Sequence, residues 1–204
     1  MNELLECYLP IFKLINKAIC ETDCYADYCV FRSDCVSQLE HAISQANKLD
    51  ICIQERNAAL FAVVAWVDEQ ILCSSLSWKL QWQGDLMQKN YLETTTAGED
   101  FFIQLNELTV NHQQSRRVFL FCLQNGFHGQ FSMPDDQTAL SNLIRAQREI
   151  CLSGAWNSWP NEEVITPFFN HKVPKMPHKR YPFIGITIIM FLYIITYLYL
   201  NTLS

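Results

Sequence analysis

The sequence predicts an all-α protein with one hydrophobic span near its C-terminus. Apolar residues recur every three or four positions through most of the first 150 residues, which is the helical period. Residues that break helices are few, with 6 Gly and 7 Pro among 204 residues, and five of the prolines fall within residues 160–182. The span itself, residues 181–200, contains no charged side chain. These observations favour helices over a fold of many turns and strands.

The first half of the chain reads as four helices. We expect a first helix over about residues 2–28 and a second that begins at an N-cap formed by Ser33 and Asp34. A third, over about residues 50–73, has the densest apolar face and is expected to be the central element. A fourth should begin near Ser75.

The second half shows clearer start and stop signals. Thr96 and Glu99 fit a capping box that opens a fifth helix. Residues 114–125 are too apolar all round for a surface helix, so this segment should be buried, with Gly126 as its C-cap. A last amphipathic helix follows Pro134. The polar break at Ser74, Ser75 and Ser77 is a candidate boundary between two helical lobes.

The C-terminal span predicts a transmembrane helix. Twenty residues at helical rise measure about 30 Å, the thickness of a bilayer core. Basic residues precede the span, so the positive-inside rule keeps the N-terminal body in the cytoplasm. We therefore divide the chain into a helical body (1–155), an irregular basic and proline-containing stalk (156–180), a transmembrane helix (181–200) and a short tail beyond the membrane (201–204).

The net charge restricts which classes of partner the protein can bind, and the cysteine content indicates the cellular compartment. The net charge is -6, and the body is more acidic than that because Lys172, Lys175, Lys179 and Arg180 all lie in the stalk. Nucleic acid is therefore excluded as a partner, since phosphate binding needs a basic face. Nine cysteines is an odd number, and no cleavable signal opens the chain, so we expect free thiols in a reducing cytosol.

Asp68 and Glu69 are the candidate site residues of the body, because they interrupt a strongly apolar helix. Neighbouring positions on a helix point about 100° apart, so two such carboxylates do not serve one reaction centre easily. We interpret the pair as structural, for instance capping the backbone donors of a following turn, or as an acidic partner-binding site. Catalysis is the weakest of these hypotheses.

Other chemistry finds little support in the sequence. Cys20, Cys24, Cys29 and Cys35 cluster but form no C-x-x-C pair, so buried or half-exposed thiols are favoured over a metal or iron–sulfur site. The five histidines have no metal-binding spacing, and no nucleotide-binding or acyl-transfer motif is present. We predict no catalytic residue, no metal and no cofactor, and hence no enzyme.

Three segments carry a family resemblance. The first is NAALFAVVAWVDEQIL (57–72), an alanine-rich helix that ends in the Asp68–Glu69 pair. The second is AGEDFFIQL (97–105), which contains a G-E-x-F-F signature. The third is FLFCLQNGFHGQF (119–131), which matches a G-F-x-G-[RK]-[YF] ending except that Gln130 replaces the basic residue. The motif residues of the last two segments are Gly98, Glu99, Phe101, Phe102, Gly126, Phe127, Gly129 and Phe131.

In this order and spacing the segments resemble the DotU/TssL (IcmH) family of bacterial type VI and type IVb secretion systems. The resemblance implies a cytoplasmic body of two small helical bundles, anchored in the bacterial inner membrane with the C-terminus in the periplasm. It implies a structural role beside a large IcmF/TssM-type membrane protein, with docking of baseplate components in type VI systems. Gly98, Gly126 and Gly129 then serve tight turns, the Phe pairs fill the core, and a docking cleft lies near Asp68 and Glu69.

Alternatives remain at this stage. A type IVb accessory component has the same topology, and so does a tail-anchored regulator that binds amphipathic peptide helices in a groove. A membrane-tethered enzyme or redox protein that uses the N-terminal cysteines ranks last. The aromatic residues of the span also allow a homodimer formed within the membrane.

Overall fold

The computed structural model describes residues 3–151, which form helices joined by turns and loops and contain no strand. Two short 3-10 turns, Thr22–Tyr25 and Pro134–Asp136, interrupt the α-helices. The helices are α1 (Leu4–Cys20), α2 (Tyr28–Ala46), α3 (Ile53–Leu72), α4 (Lys79–Gly84), α5 (Met87–Tyr91), α6 (Ala97–Glu107), α7 (Gln113–Gln124) and α8 (Gln137–Cys151). The all-helical prediction for the body is confirmed.

Helix α3 is the centre of the body, as its apolar sequence predicts. It packs against α1, α4, α5, α6 and α7. Residues from Ala62 to Asp68 are all buried, so this part of the helix has no solvent-facing side. A helix that is apolar all round is stable only when neighbours cover it on every side.

The N-terminal helices differ from the predicted boundaries. Helix α1 ends at Cys20 rather than near residue 28, and it runs through Pro10, whose ring is exposed. Helix α2 begins earlier than predicted, because Asp27 is its N-cap and accepts hydrogen bonds from the backbone N–H of Cys29 (2.7 Å) and Val30 (3.1 Å). The predicted N-cap at Ser33 and Asp34 is therefore wrong, and both residues lie inside α2.

The middle of the chain is more broken than predicted. The fourth helix is two short helices, α4 and α5, separated at Asp85 and Leu86. Thr96 does precede α6, but its hydroxyl donates to the Asp100 carboxylate (2.7 Å) and caps no backbone N–H. The capping box of Thr96 with Glu99 is therefore wrong, and Glu99 is an exposed residue in the first turn of α6.

The last two helices follow the prediction closely. Helix α7 is buried along Val118, Phe119 and Leu120, and Gly126 ends it with a positive φ of 85°. Helix α8 packs on α7. The described helices lie in one compact unit with one hydrophobic core cluster, and the division of this body into two small bundles stays a prediction. Because α3 packs with helices before and after it in the chain, the core shows no break at residues 74–77.

The predicted stalk (156–180), transmembrane helix (181–200) and tail (201–204) lie outside the described residues. Within residues 3–151, no helix combines the length and the apolar character that crossing a membrane requires.

Candidate docking site around Asp68 and Glu69

Asp68 points inward from α3 and is 1% exposed. Its carboxylate accepts three hydrogen bonds: one from Nε1 of Trp82 (2.8 Å) in α4, and two from the backbone N–H groups of Met87 (3.0 Å) and Gln88 (2.8 Å) in α5. These two N–H groups begin α5, and the first N–H groups of a helix have no partner within it. Asp68 therefore fixes both short helices to α3.

Arg32 of α2 supports the same network from the other side. Its guanidinium lies 4.5 Å from the ring centroid of Trp82 and pairs with the Asp85 carboxylate at 3.2 Å. Burial raises the pKa of Asp68, while the three N–H donors and the charge of Arg32 oppose that rise. The site thus holds a carboxylate whose hydrogen-bonding capacity is used within the protein.

Gln88 connects the hydrogen bonds of Asp68 to helix α6. Its backbone N–H binds Asp68, and its side-chain oxygen accepts from the backbone N–H of Ala97 (3.0 Å), the first residue of α6. The chain from Asp68 through Gln88 to Ala97 links α3 to the start of the G-E-x-F-F segment.

Glu69 points to a different part of the body. Its two oxygens accept from the backbone N–H groups of His128 (2.7 Å) and Gly129 (2.8 Å) in the turn after α7. The Nδ1 atom of His128 lies 3.6 Å from the same carboxylate, and this interaction with Glu69 raises the pKa of His128 although partial burial opposes it. The imidazole stays 55% exposed, so it is the surface-facing group of this pair.

Two further α3 side chains hold the same turn. Nε1 of Trp66 donates to the Asn125 carbonyl (3.0 Å), and Nε2 of Gln70 donates to the Gly126 carbonyl (3.1 Å). With Glu69, three side chains of α3 therefore bind residues 125–129. The turn is fixed to the central helix by its backbone, which leaves the side chains of His128 and Gln130 exposed to solvent.

The glycine and phenylalanine motifs meet beneath this turn. Gly129 has a φ of 51°, and a Cβ added there would collide with the carbonyl oxygen of Gly98, so this position lacks room for a larger residue. A Cβ added at Gly98 would lie 3.6 Å from the Cα of Gly129, which is an ordinary contact. Phe101 lies 4.1 Å from Phe127 between ring centroids, and Phe102 meets Phe131 edge-on at 4.8 Å. The expectation that Gly98 serves a tight turn is wrong, because Gly98 is the second residue of α6. Gly126 and Gly129 have a positive φ in the turn after α7, as tight-turn glycines do, and Phe101, Phe102 and Phe127 are buried in the core.

The structure thus separates the two predicted site residues. Asp68 accepts hydrogen bonds from α4 and α5, and Glu69 accepts them from the turn at 125–129. This agrees with the 100° that separates neighbouring positions on a helix. Both residues therefore agree with the structural hypothesis, in which each carboxylate accepts hydrogen bonds from backbone N–H groups. Partner binding by the pair stays a prediction, and in the described conformation Asp68 presents no surface to a partner.

Sequence reasoning missed three residues of the site, Arg32, Gln88 and His128. Arg32 lies on α2, far from Asp68 in sequence, and carries no motif. Gln88 acts through a short helix that the apolar pattern did not resolve. His128 stands at the variable position of the third motif, and its neighbour Gly129 signals a turn that brings backbone N–H groups together.

The described members of the cysteine cluster differ in their exposure to solvent. Cys20 and Cys29 are exposed whereas Cys35 is buried, and the side chain of Cys24 lies outside the description. Among the described residues, no group of three potential metal-binding side chains comes together.

Comparison with known proteins identifies relatives of the whole arrangement. The family model described as "Type VI secretion system protein DotU" matches residues 3–203. Among solved structures, the cytoplasmic domain of TssL from Acinetobacter baumannii is similar, with a TM-score of 0.65 and 24% identity over 74% of this chain and 98% of that domain. At this identity the likeness establishes the fold. No curated protein matches the chain.

Proposed function

Because this chain belongs to the DotU family of type VI secretion system proteins, we propose that it is a structural component of the membrane complex of such a system. The observation that carries the proposal is the family match over residues 3–203. Membership in a family of type VI secretion system proteins favours a type VI system over the type IVb alternative.

A structural rather than catalytic role is supported by the state of the two carboxylates. A general acid or base must have an oxygen free to reach a substrate. The oxygens of Asp68 and Glu69 are each occupied by N–H donors of the protein itself. The DotU family is one of structural secretion components, which points the same way.

The proposed topology follows from the sequence. Residues 1–155 form a cytoplasmic body, residues 156–180 a stalk, and residues 181–200 cross the bacterial inner membrane, with residues 201–204 in the periplasm. The absence of charge over 181–200 and the basic residues before it support this arrangement. Reporter fusions test it: an enzyme active only in the periplasm should be active when fused after Ser204 and inactive when fused before Met1. The reverse result would contradict it.

The proposed partners are a large IcmF/TssM-type membrane protein and cytoplasmic baseplate components. We place the docking surface on the turn that Glu69 holds, with His128 and Gln130 as its exposed side chains. Asp68 contributes indirectly, because its hydrogen bonds hold α4 and α5. The support for this surface is that a rigid, backbone-anchored turn loses little entropy when a partner binds it.

The experiment is affinity purification of the tagged full-length protein from its own membranes in mild detergent, with mass spectrometry of the proteins that co-purify. We expect an IcmF/TssM-type protein together with baseplate subunits. Recovery of small soluble regulators in their place would favour the peptide-binding alternative. Recovery of type IVb core proteins would assign the chain to that system.

A matched pair of variants tests the docking surface. The double change His128→Ala with Gln130→Ala removes the exposed side chains of the turn. The control is Gln38→Ala with His41→Ala, an exposed pair of the same residue types on α2. Loss of the baseplate proteins from the first variant alone supports the surface, and equal recovery from both variants rejects it.

A further inference from the structure

Helices α1, α3 and α7 begin at the same end of the body, and α8 ends there. The Glu55 carboxylate, in the first turn of α3, accepts a hydrogen bond from the backbone N–H of Gln114 (2.7 Å), in the first turn of α7. The backbone N–H of Leu4, which begins α1, donates to the Gln114 side chain (3.2 Å). Arg116 of α7 binds Gln147, near the C-terminus of α8. The chain therefore leaves the described body at this end, which we call the exit end.

Two segments of the exit end carry exposed apolar side chains. Val110, in the middle of the loop between α6 and α7, is 81% exposed, and Ile53, the first residue of α3, is 64% exposed. Cys52 beside Ile53 is also exposed, and its thiol caps α3 by accepting a hydrogen bond from the Glu55 N–H (3.4 Å). Helix N-caps are usually Ser, Thr, Asp or Asn, whereas cysteine behaves as a small hydrophobic residue. The start of α3 therefore presents an apolar surface where most helices present a polar one.

Several backbone polar groups of the Val110 loop are paired within the protein. The His112 N–H donates to the Thr109 carbonyl (3.1 Å), and the Thr109 N–H donates to Nδ1 of His112 (3.4 Å). Nε2 of Gln113 donates to the Val110 carbonyl (2.8 Å). Moving a backbone group out of water is costly unless it is hydrogen-bonded. These bonds lower the cost of bringing Val110 into a poorly hydrated environment.

We propose that the exit end contacts the lipid bilayer, with Val110 and Ile53 inserted at the boundary between headgroups and acyl chains. The inference rests on the proposed topology, in which the chain crosses the membrane after residue 180. A flexible chain as long as residues 152–180 has a root-mean-square span of about 30 Å, which keeps the exit end near the bilayer. A tether of this kind makes even a weak contact effective, because the second binding event is intramolecular. The strength of the contact then depends on the apolar area that enters the bilayer surface.

The charges of the exit end are mixed, which favours a contact made by apolar side chains. Lys48 and Asp50 are exposed in the loop before α3, and Arg117 pairs with Glu3 at 2.6 Å. Glu107, the last residue of α6, is an exposed acid. Anionic headgroups bind clusters of basic residues, and these side chains do not form such a cluster. The contact should therefore depend on apolar insertion and should form on a zwitterionic lipid.

Insertion of the exit end directs the proposed docking surface away from the bilayer. Glu69, which holds the turn at 125–129, lies about 21 Å further along α3 than Glu55. Because α3 leads from the exit end to this turn, the two surfaces lie at opposite ends of the central helix. The membrane contact thus presents His128 and Gln130 to the cytoplasm, from which baseplate components would approach.

The test uses the full-length protein in liposomes of phosphatidylcholine. An environment-sensitive fluorescent amino acid replaces Val110 in one variant, Ile53 in a second and Leu80 in the control. Leu80 is 74% exposed but lies on α4, which is bonded to α3 at Asp68, far from the exit end. Lipids with bromine in the upper part of their acyl chains quench a fluorophore that enters the bilayer surface. We expect quenching at positions 53 and 110 to exceed that at position 80 by at least about threefold.

An alkaline carbonate wash separates failure of this inference from failure of the proposed topology. Equal quenching at positions 53, 80 and 110, in protein that the wash does not release, would overturn the membrane contact and leave the topology intact. Release of the protein by the wash would overturn the topology and this inference with it. A severalfold rise in quenching at 110 when phosphatidylglycerol is added would show charge attraction in place of apolar insertion.

A charged variant tests the contribution of the Val110 loop, with the fluorophore at position 53. Val110→Asp places a carboxylate at the inserted position, so quenching should fall by at least about threefold. Leu80→Asp is the matched control and should leave the quenching unchanged. Both positions are exposed, so neither change removes a core contact. Unchanged quenching in Val110→Asp, with the helical circular dichroism of the natural protein, would contradict the insertion.

Photo-crosslinking in the producing cells distinguishes a lipid from a protein on this surface. With p-benzoylphenylalanine in place of Val110, mass spectrometry should find the chain increased by the mass of a phospholipid. A protein adduct in place of the lipid adduct would show that a partner protein covers the exit end, and it would overturn the proposal.

Discussion

Gly129 packs against Gly98, so that a Cβ added at Gly98 would lie 3.6 Å from the Cα of Gly129. A Cβ added at Gly129 would collide with the carbonyl oxygen of Gly98 and the ring of Phe102. The two glycines belong to separate sequence motifs, one opening α6 and the other following α7. This collision, together with the positive φ, is the physical reason that the position of Gly129 needs glycine, whereas a Cβ at Gly98 would make only an ordinary contact.

Gly129→Ala should therefore destabilise the body strongly. The backbone φ of 51° strains any residue with a side chain, and the new methyl group meets a backbone oxygen that cannot move away easily. We expect a loss of about 2–4 kcal/mol in the free energy of unfolding, measured by chemical denaturation.

The matched control is Gly84→Ala in α4, where an added Cβ meets no atom within 4 Å. It should leave stability unchanged or raise it slightly, because alanine favours helix more than glycine does. Equal losses from the two variants would show that the contact with Gly98 does not determine the effect.

Asp68→Ala removes the acceptor for three buried N–H groups, those of Trp82, Met87 and Gln88. Each buried donor without a partner costs about 1–3 kcal/mol, so the free energy of unfolding should fall by at least about 3 kcal/mol. Asp68→Asn keeps one acceptor oxygen, so its free energy of unfolding should lie between those of Asp68→Ala and the natural protein. Asp34→Ala, on the exposed side of α2, is the control and should change stability by less than about 0.5 kcal/mol.

Glu69→Gln should lower the pKa of His128 towards 6.5, because the interaction with the Glu69 carboxylate raises it. A raised pKa means that the His128–Glu69 pair stabilises the fold fully below pH 6.5, and that this contribution disappears as the pH rises through the raised pKa. The imidazole is 55% exposed, so the contribution is less than about 1 kcal/mol. NMR titration of the imidazole gives the pKa directly, and an unchanged midpoint in the variant would contradict the assignment.

Arg116→Ala should loosen α8 more than it affects the other helices. It removes the donors to Gln147 and to the Leu108 carbonyl, with an expected loss of about 2 kcal/mol. Hydrogen exchange of the α8 amides should accelerate in this variant. Its neighbour Arg117 pairs with Glu3 at the surface, so Arg117→Ala should cost less than about 1 kcal/mol and leave α8 protected.

The sequence predicts the helical body well where apolar periodicity is strong. Helix α3 and the end of α7 at Gly126 lie close to their predicted positions, because long buried segments and a glycine C-cap depend on local rules. The boundary between α1 and α2 was misplaced because Asp27 is the cap, and an aspartate before an aromatic residue resembles an ordinary loop residue.

The contacts of Asp68 and Glu69 are harder to predict from the sequence than the helices are. That Asp68 and Glu69 point to different places follows from helix geometry alone, and the structure agrees. Their partners do not follow from it, because Met87 and Gly129 are contacted through backbone N–H groups that any residue except proline supplies. Gly129 does signal a turn, but neither residue type identifies Asp68 or Glu69 as the acceptor of its N–H group.

The central position of α3 has a consequence for how the chain folds during synthesis. Trp66 finds its acceptor at Asn125, and Glu55 finds its donor at Ser115, each about sixty residues later in the chain. A ribosome adds that many residues in roughly 3–12 seconds, during which the most apolar helix of the body lacks the partner that covers it. The nascent protein therefore depends on protection from aggregation until α7 emerges, and a chain that stops before Gln113 should be a target for chaperones and proteases rather than a folded fragment.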